Sequence, residues 1–290
     1  MIVMGQSRNL NLKDLMCFPL GPLPWLLATP DGSLRKTNKA ALAKNIKKNA
    51  QLQDSLPAHS ATIIDGMALV QRAKFDDQQP TFEEIAGRVF AMAISEASLS
   101  TRLDIVFDTY KPLSIKYNER ANRTRAGVQV QNIAPGQKIK QWRKCLAQES
   151  NKINLIKFLI QEWRTEKYLE KLGHLHKVLF VTCEEKCFHF SAVRCREVPG
   201  LQCVQDEADG HLLLHASHAA EAGYEAVMIS SNDTDVFVLN IAFCSAVKAP
   251  LYQRSETSTH TQLIDIGKVA SSLWTFCLHC SPWVAFIYWL

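Results

Sequence analysis

A chain of 290 residues can hold one large α/β domain or two small ones, and 47% hydrophobic with 21% charged residues excludes wholesale disorder. Nine irregularly spaced cysteines, and an N-terminus (MIVMGQSRNLNLKD) without a basic region followed by an apolar run, predict reduced thiols, no signal peptide and an intracellular protein. The net charge of +5 is modest but uneven: residues 111–177 carry 15 Lys and Arg against 5 Asp and Glu, whereas residues 201–240 carry none against 7. A cationic middle beside an anionic stretch suits a polyanion held by one part and metal ions held by the other.

Residues 1–59 begin with Pro and Gly in PLGPLPW and ATPDG, and then show a basic helical pattern, RKTNKAALAKNIKKNA. ATIIDGMALV predicts a short apolar strand ending at Asp65, with Gly66 turning the chain. Thr81 and Glu84 stand in capping-box spacing before a helix, TFEEIAGRVFAMAISEA. LDIVFD predicts a second buried strand ending at Asp108, and INLIKFLIQEWRTEKYLEKL one amphipathic helix. KVLFVTC and CFHFSA predict a strand and its hairpin partner, followed by a helix over 208–222, a strand in EAVMIS and the apolar run VFVLNIAF. Strands alternating with helices predict an α/β fold, a mostly parallel sheet with helices on both faces. The domain is expected over 60–248, with a basic helical insert at about 111–177 and a divergent apolar tail over 249–290.

Asp65 and Asp108 end predicted strands, Glu207 and Asp209 start a predicted helix, and Asp233 and Asp235 follow a strand. In an open parallel sheet the carboxyl ends of the strands share one edge, where ligands bind, so these six acids can converge. Six carboxylates in one place need cations to stay ionised, and an all-oxygen set suits Mg²⁺ or Mn²⁺, two ions together activating a water for phosphoryl transfer.

The order IIDGMALVQ, DIVFDTYKPLSIKYNERANR, DEADGHLLLHASHAAEAGYEAVMISSNDTDVFVL resembles PIN-like nucleases of the flap endonuclease (XPG) class. More closely, it resembles an animal branch of that class often associated with mobile elements, whose N-terminal segment PLGPLPWLLATPDG also resembles. The resemblance implies metal ligation by Asp65, Asp108, Glu207, Asp209, Asp233 and Asp235, phosphate contacts by Lys116, Arg120 and Arg123, and a nucleic-acid partner, DNA before RNA. It implies a nuclear rather than a cytoplasmic location. The chain departs from the class in the residues before its first strand, in Gly210 where the branch has Thr, and in a truncated or divergent C-terminal part. A catalytically inactive PIN-like domain that binds nucleic acid or protein is the alternative. A phosphatase of the haloacid-dehalogenase type would need a lysine and a second acidic pair after Asp233-Thr-Asp235, where little but Lys248, Asp265 and Lys268 follows.

Residues 269–290 carry no formal charge and approach a membrane span in length, but Pro282, His279 and four Ser/Thr favour a core segment. His211, His215 and His218, at helical spacing, read as core or surface histidines. Cys277 and Cys280 lack a partner pair, and Cys183, Cys187, His189 and Cys195 lack standard zinc spacing.

Overall fold

A computed structural model describes residues 29, 33, 39–48, 50, 52, 53, 55–75, 79–109, 133–203, 208–256 and 261–280, with side chains through 273. The chain divides into residues 1–42 and a larger unit, residues 43–290. Glu207, within 204–207, and Lys116, Arg120 and Arg123, within 110–132, lie outside the described residues.

An eight-stranded sheet organises the larger unit, in the order β5-β4-β3-β2-β1-β6-β7-β8. In chain order the strands are β1 (Ser60–Asp65), β2 (Arg102–Val106), β3 (Val178–Cys183), β4 (Lys186–Phe190), β5 (Cys195–Glu197), β6 (Ala226–Ser230), β7 (Leu251–Glu256) and β8 (Thr261–Asp265). The central five, β3-β2-β1-β6-β7, run parallel, and β4, β5 and β8 are antiparallel additions at the edges. The helices are α1 (Lys39–Lys48), α2 (Gly66–Arg72), α3 (Phe82–Glu96), α4 (Trp142–Ala147), α5 (Glu149–Trp163), α6 (Glu166–His174), α7 (Ala208–Glu221), α8 (Thr234–Phe243) and α9 (Ile266–Cys280).

Alternation along the strands sends side chains to two cores. Ile64, Leu103, Ile105, Leu179 and Val181 meet Phe82, Ile85, Val89, Leu159 and Trp163 of α3 and α5 on one face. Ala61, Ile63, Val106, Val227 and Ile229 meet Leu212, Ala216, Phe237 and Val269 of α7, α8 and α9 on the other. The α/β architecture read from the sequence, a mostly parallel sheet with helices on both faces, is the one observed. The chain builds β1, β2 and β3 outward in one direction and then returns to lay β6 and β7 on the other side of β1. The reversal between β1 and β6 is a topological switch point, the place where open α/β sheets bind ligands.

The predicted capping box forms: Glu84 N–H donates to Thr81 Oγ1 (3.2 Å) and Thr81 N–H to Glu84 Oε2 (2.7 Å). The single helix expected over 153–172 is broken into α5 and α6, because Thr165 turns extended and its hydroxyl takes the Glu162 carbonyl (2.8 Å). VFVLNIAF lies within α8. The sheet also continues past residue 248, where the sequence reading ended the domain: β7 and β8 complete it, and α9 packs Ile266 and Val269 into the second core. Among the described residues no helix is long and apolar enough to cross a membrane.

Candidate acidic site at the carboxyl edge of the sheet

Strand register places the described acids at one edge. Asp65, at the end of β1, pairs with Val106 in parallel, so Asp108 lies two residues beyond the same line. Ile64 pairs with Ser230, so Asp233 begins α8 just past the end of β6. Three of the acids are held by backbone donors. Asp65 Oδ1 accepts from Met67 N (2.9 Å) and Ala68 N (3.0 Å), capping α2, and Asp233 Oδ1 accepts from Asp235 N (2.8 Å), capping α8. Asp108 Oδ1 accepts from Ala208 N (2.9 Å), which brings the start of α7, and Asp209 with it, to the end of β2.

The carboxylates feel one another. Burial raises the pKa of Asp65; its two backbone hydrogen bonds oppose that, while Asp108 and Asp233 add to it. Burial also raises Asp209, and then Asp233, Asp65, Asp108 and Asp235 push in the same direction. Asp65, Asp108, Asp209, Asp233 and Asp235 therefore form one electrostatic cluster. Its donors are all hard oxygens, the set that Mg²⁺ or Mn²⁺ takes. No three described His, Cys, Asp or Glu side chains are already drawn close enough to chelate an ion.

Repulsion of this kind can be measured. Asp65→Asn keeps a good N-cap but removes the charge. Because the folded-state pKa of Asp65 is raised, its ionised form destabilises the fold above that pKa, and the penalty fades on acidification and is absent below the ordinary carboxylate range. With divalent ions chelated, Asp65→Asn should melt roughly 1–3 °C above wild type at pH 7, the difference closing toward pH 4. Parallel melts across that range check it; a constant difference would mean that Asp65 is not repelled.

Other residues at this edge were not legible as site residues. Glu256 ends β7, but its oxygens are bound by Arg254 Nη2 (2.6 Å) and Arg72 Nη1 (3.1 Å), which neutralise it. Lys47 Nζ donates to Ser255 Oγ (3.2 Å), and that hydroxyl donates to Asn232 Oδ1 (3.2 Å), next to Asp233. Burial lowers the Lys47 pKa. Asp265, by contrast, ends an antiparallel strand opposite Tyr252, at the far edge of the sheet, where its Oδ1 accepts from Lys268 N (3.0 Å).

Part of the basic region is described. Ile139 N donates to Pro80 O (2.9 Å) and Phe82 N to Gln137 O (3.2 Å), which fastens this segment to the start of α3. The helix α3 ends at Glu96, whose side chain accepts from Ser230 Oγ and from Arg72 Nη2 (2.6 Å), and the chain then enters β2 after Thr101 N donates to Ser60 O (3.1 Å). Lys138, Lys140, Arg143 and Lys144, in and just after the segment fastened to the start of α3, are exposed. Of the three histidines read as core or surface, His211 and His215 are buried in α7 and His218 is half-buried. No protein-family model matches the chain, and no curated protein matches it.

Proposed function

We propose that the chain is a metal-dependent nuclease of the PIN-like, flap endonuclease class. The observation that carries this reading is the convergence of Asp65, Asp108, Asp209, Asp233 and Asp235, from separate elements, at the carboxyl edge beside the switch point. These residues, with Glu207 from the sequence, would hold Mg²⁺ or Mn²⁺. Ions bound there supply an activated water and neutralise charge at the leaving oxygen. Lys138, Lys140, Arg143 and Lys144, exposed beside the start of α3, would add a positive surface for the phosphate backbone. Lys116, Arg120 and Arg123 keep the phosphate-contacting role that the resemblance assigns. The substrate is a nucleic acid, DNA before RNA, single-stranded or flapped rather than plain duplex, with a nuclear site of action.

One observation favours a second reading, an inactive nucleic-acid-binding domain. Asp65, Asp108 and Asp233 each give an oxygen to backbone N–H groups, so all three also have a purely structural role.

Labelled single-stranded and flapped DNA and RNA, incubated with Mn²⁺, separate the two. Asp233→Asn/Asp235→Asn, which keeps the α8 cap, should cut at least about a hundredfold more slowly than wild type. Equal cutting by both proteins would identify a contaminant. No cutting by wild type, with salt-sensitive binding intact, would establish the second reading.

A further inference from the structure

Helix α7 meets the sheet through Leu212, Ala216 and Ala219, small or smooth apolar residues that bury area without fixing where the helix sits along the strands. Beneath it lies a polar cluster that the acidic site does not use. Asp104 of β2 is fully buried, and Arg102, 1% exposed, grips it through Nε and Nη2, both at 2.7 Å. The guanidinium lies 4.0 Å from the Phe180 ring centroid, and its Nη1 donates to His218 Nδ1 at 3.0 Å. His215 Nδ1 is 2.6 Å from Asp104 Oδ2; an ionised carboxylate only accepts, so this nitrogen carries the proton. Burial opposes the charge on Asp104, but Arg102 and the hydrogen bond from His215 outweigh it and hold the pKa low. His215 Nε2 is buried without a hydrogen-bond partner, a cost that an apolar residue at this position would not incur.

The helix α7 is tied twice to β2 and the residues that directly follow it. At the acidic edge Ala208 N meets Asp108, and deeper in the sheet His215 meets Asp104. Seven helical residues rise about 10 Å and four residues of near-extended chain about 13 Å, so the two ties span similar lengths and close together in only one register. We propose that the Asp104–His215 bond, backed by Arg102, is the positioning element that sets α7 along β2 and so places Asp209 beside Asp108. The inference rests on the reading of the acidic edge as a metal site, and it assigns His215 a role in metal affinity although it touches no metal.

The test compares wild type with His215→Leu, which fills the space without a donor, and His215→Asn, whose amide reproduces the Nδ1 donor. Amide exchange reads the register without metal. His215→Leu should speed exchange at Ala208 about tenfold while Ala219 stays protected, and His215→Asn should restore it. Calorimetric Mn²⁺ titration should show about fivefold weaker binding for His215→Leu, and that loss should disappear in an Asp209→Asn background. His215→Gln, with its donor farther from the backbone, replaces the leucine variant should that variant not fold. Unchanged Ala208 exchange would overturn the proposal, as would an equal Mn²⁺ loss with and without Asp209. A wild type that binds no Mn²⁺ would overturn both its metal step and the nuclease reading, which unchanged exchange with intact Mn²⁺ binding would leave standing.

Discussion

Arg102→Met is expected to destabilise the protein by roughly 3–5 kcal/mol at pH 7, a fall in Tm of about 10 °C. The guanidinium and the Asp104 carboxylate are 1% and 0% exposed, so removing one leaves the other charged in a site closed to water. Methionine covers the same stem and packs against Phe180, so lost volume is not the main cause. The pH dependence follows from Asp104. Its folded-state pKa is held low in wild type, so its contribution is present above the ordinary carboxylate range and is lost only as pH falls through that lowered value. Without Arg102, burial dominates and raises the Asp104 pKa. The deficit should therefore be greatest at neutral pH and shrink as the variant protonates Asp104 on acidification. Arg102→Met/Asp104→Leu should recover part of the loss, because neither charge then remains stranded. Urea unfolding of the three proteins from pH 5 to 8 decides it. A single-variant loss under 1 kcal/mol at every pH would mean that the pair is hydrated rather than buried.

What the sequence disclosed about the fold follows from which side chains carry the signal. The strands β1, β2, β3 and β6 sit at or near the centre of the sheet with nearly every residue buried, so they stand out as apolar runs. The strand β7 does not. Two of its three inward side chains are Gln253 and Ser255, and their polarity is satisfied by groups distant in sequence: Gln253 Oε1 accepts from Asn240 Nδ2 (3.0 Å), Gln253 Nε2 donates to Ser231 O (2.9 Å), and Ser255 bonds Lys47 and Asn232. Read along the chain, LYQRSE is a polar segment, and only the folded partners make it a strand. The same reason hid the tie beneath α7. Arg102 and Asp104 stand two apart in an apolar run, and nothing in their spacing shows that they meet His218 and the buried His215 of one helix. The acids Asp65, Asp108 and Asp233 were legible because each ends or follows a strand, and parallel strands bring such positions to one edge whatever their distance in sequence.

Gly66→Ala is expected to destabilise the fold by roughly 1–3 kcal/mol and to weaken Mn²⁺ binding with it. A methyl group at residue 66 would stand 2.6 Å from Phe107 Cδ1 and Cε1 and 2.8 Å from Cζ, distances that no packed carbon pair tolerates. The need is for space and not for an unusual backbone, since Gly66 opens α2 in ordinary helical conformation. Phe107 has little freedom to retreat: it is 1% exposed, and its backbone N–H donates to Thr182 Oγ1 on β3 at 2.6 Å. The strain must therefore be taken up where Asp65 and Gly66 leave β1 and where Phe107 and Asp108 leave β2. Those are the two strand ends whose acids share the site, so a methyl group with no charge of its own separates two carboxylates. Phe107→Leu in the same chain removes ring atoms and makes room. The double variant should then be more stable than the sum of the two single losses predicts, by about 1 kcal/mol of favourable coupling. Thermal melts of the four proteins, with and without Mn²⁺, measure that coupling. Additive losses would show that the Gly66–Phe107 contact does not join the ends of β1 and β2, and that Asp65 and Asp108 are held in place by their backbone hydrogen bonds alone.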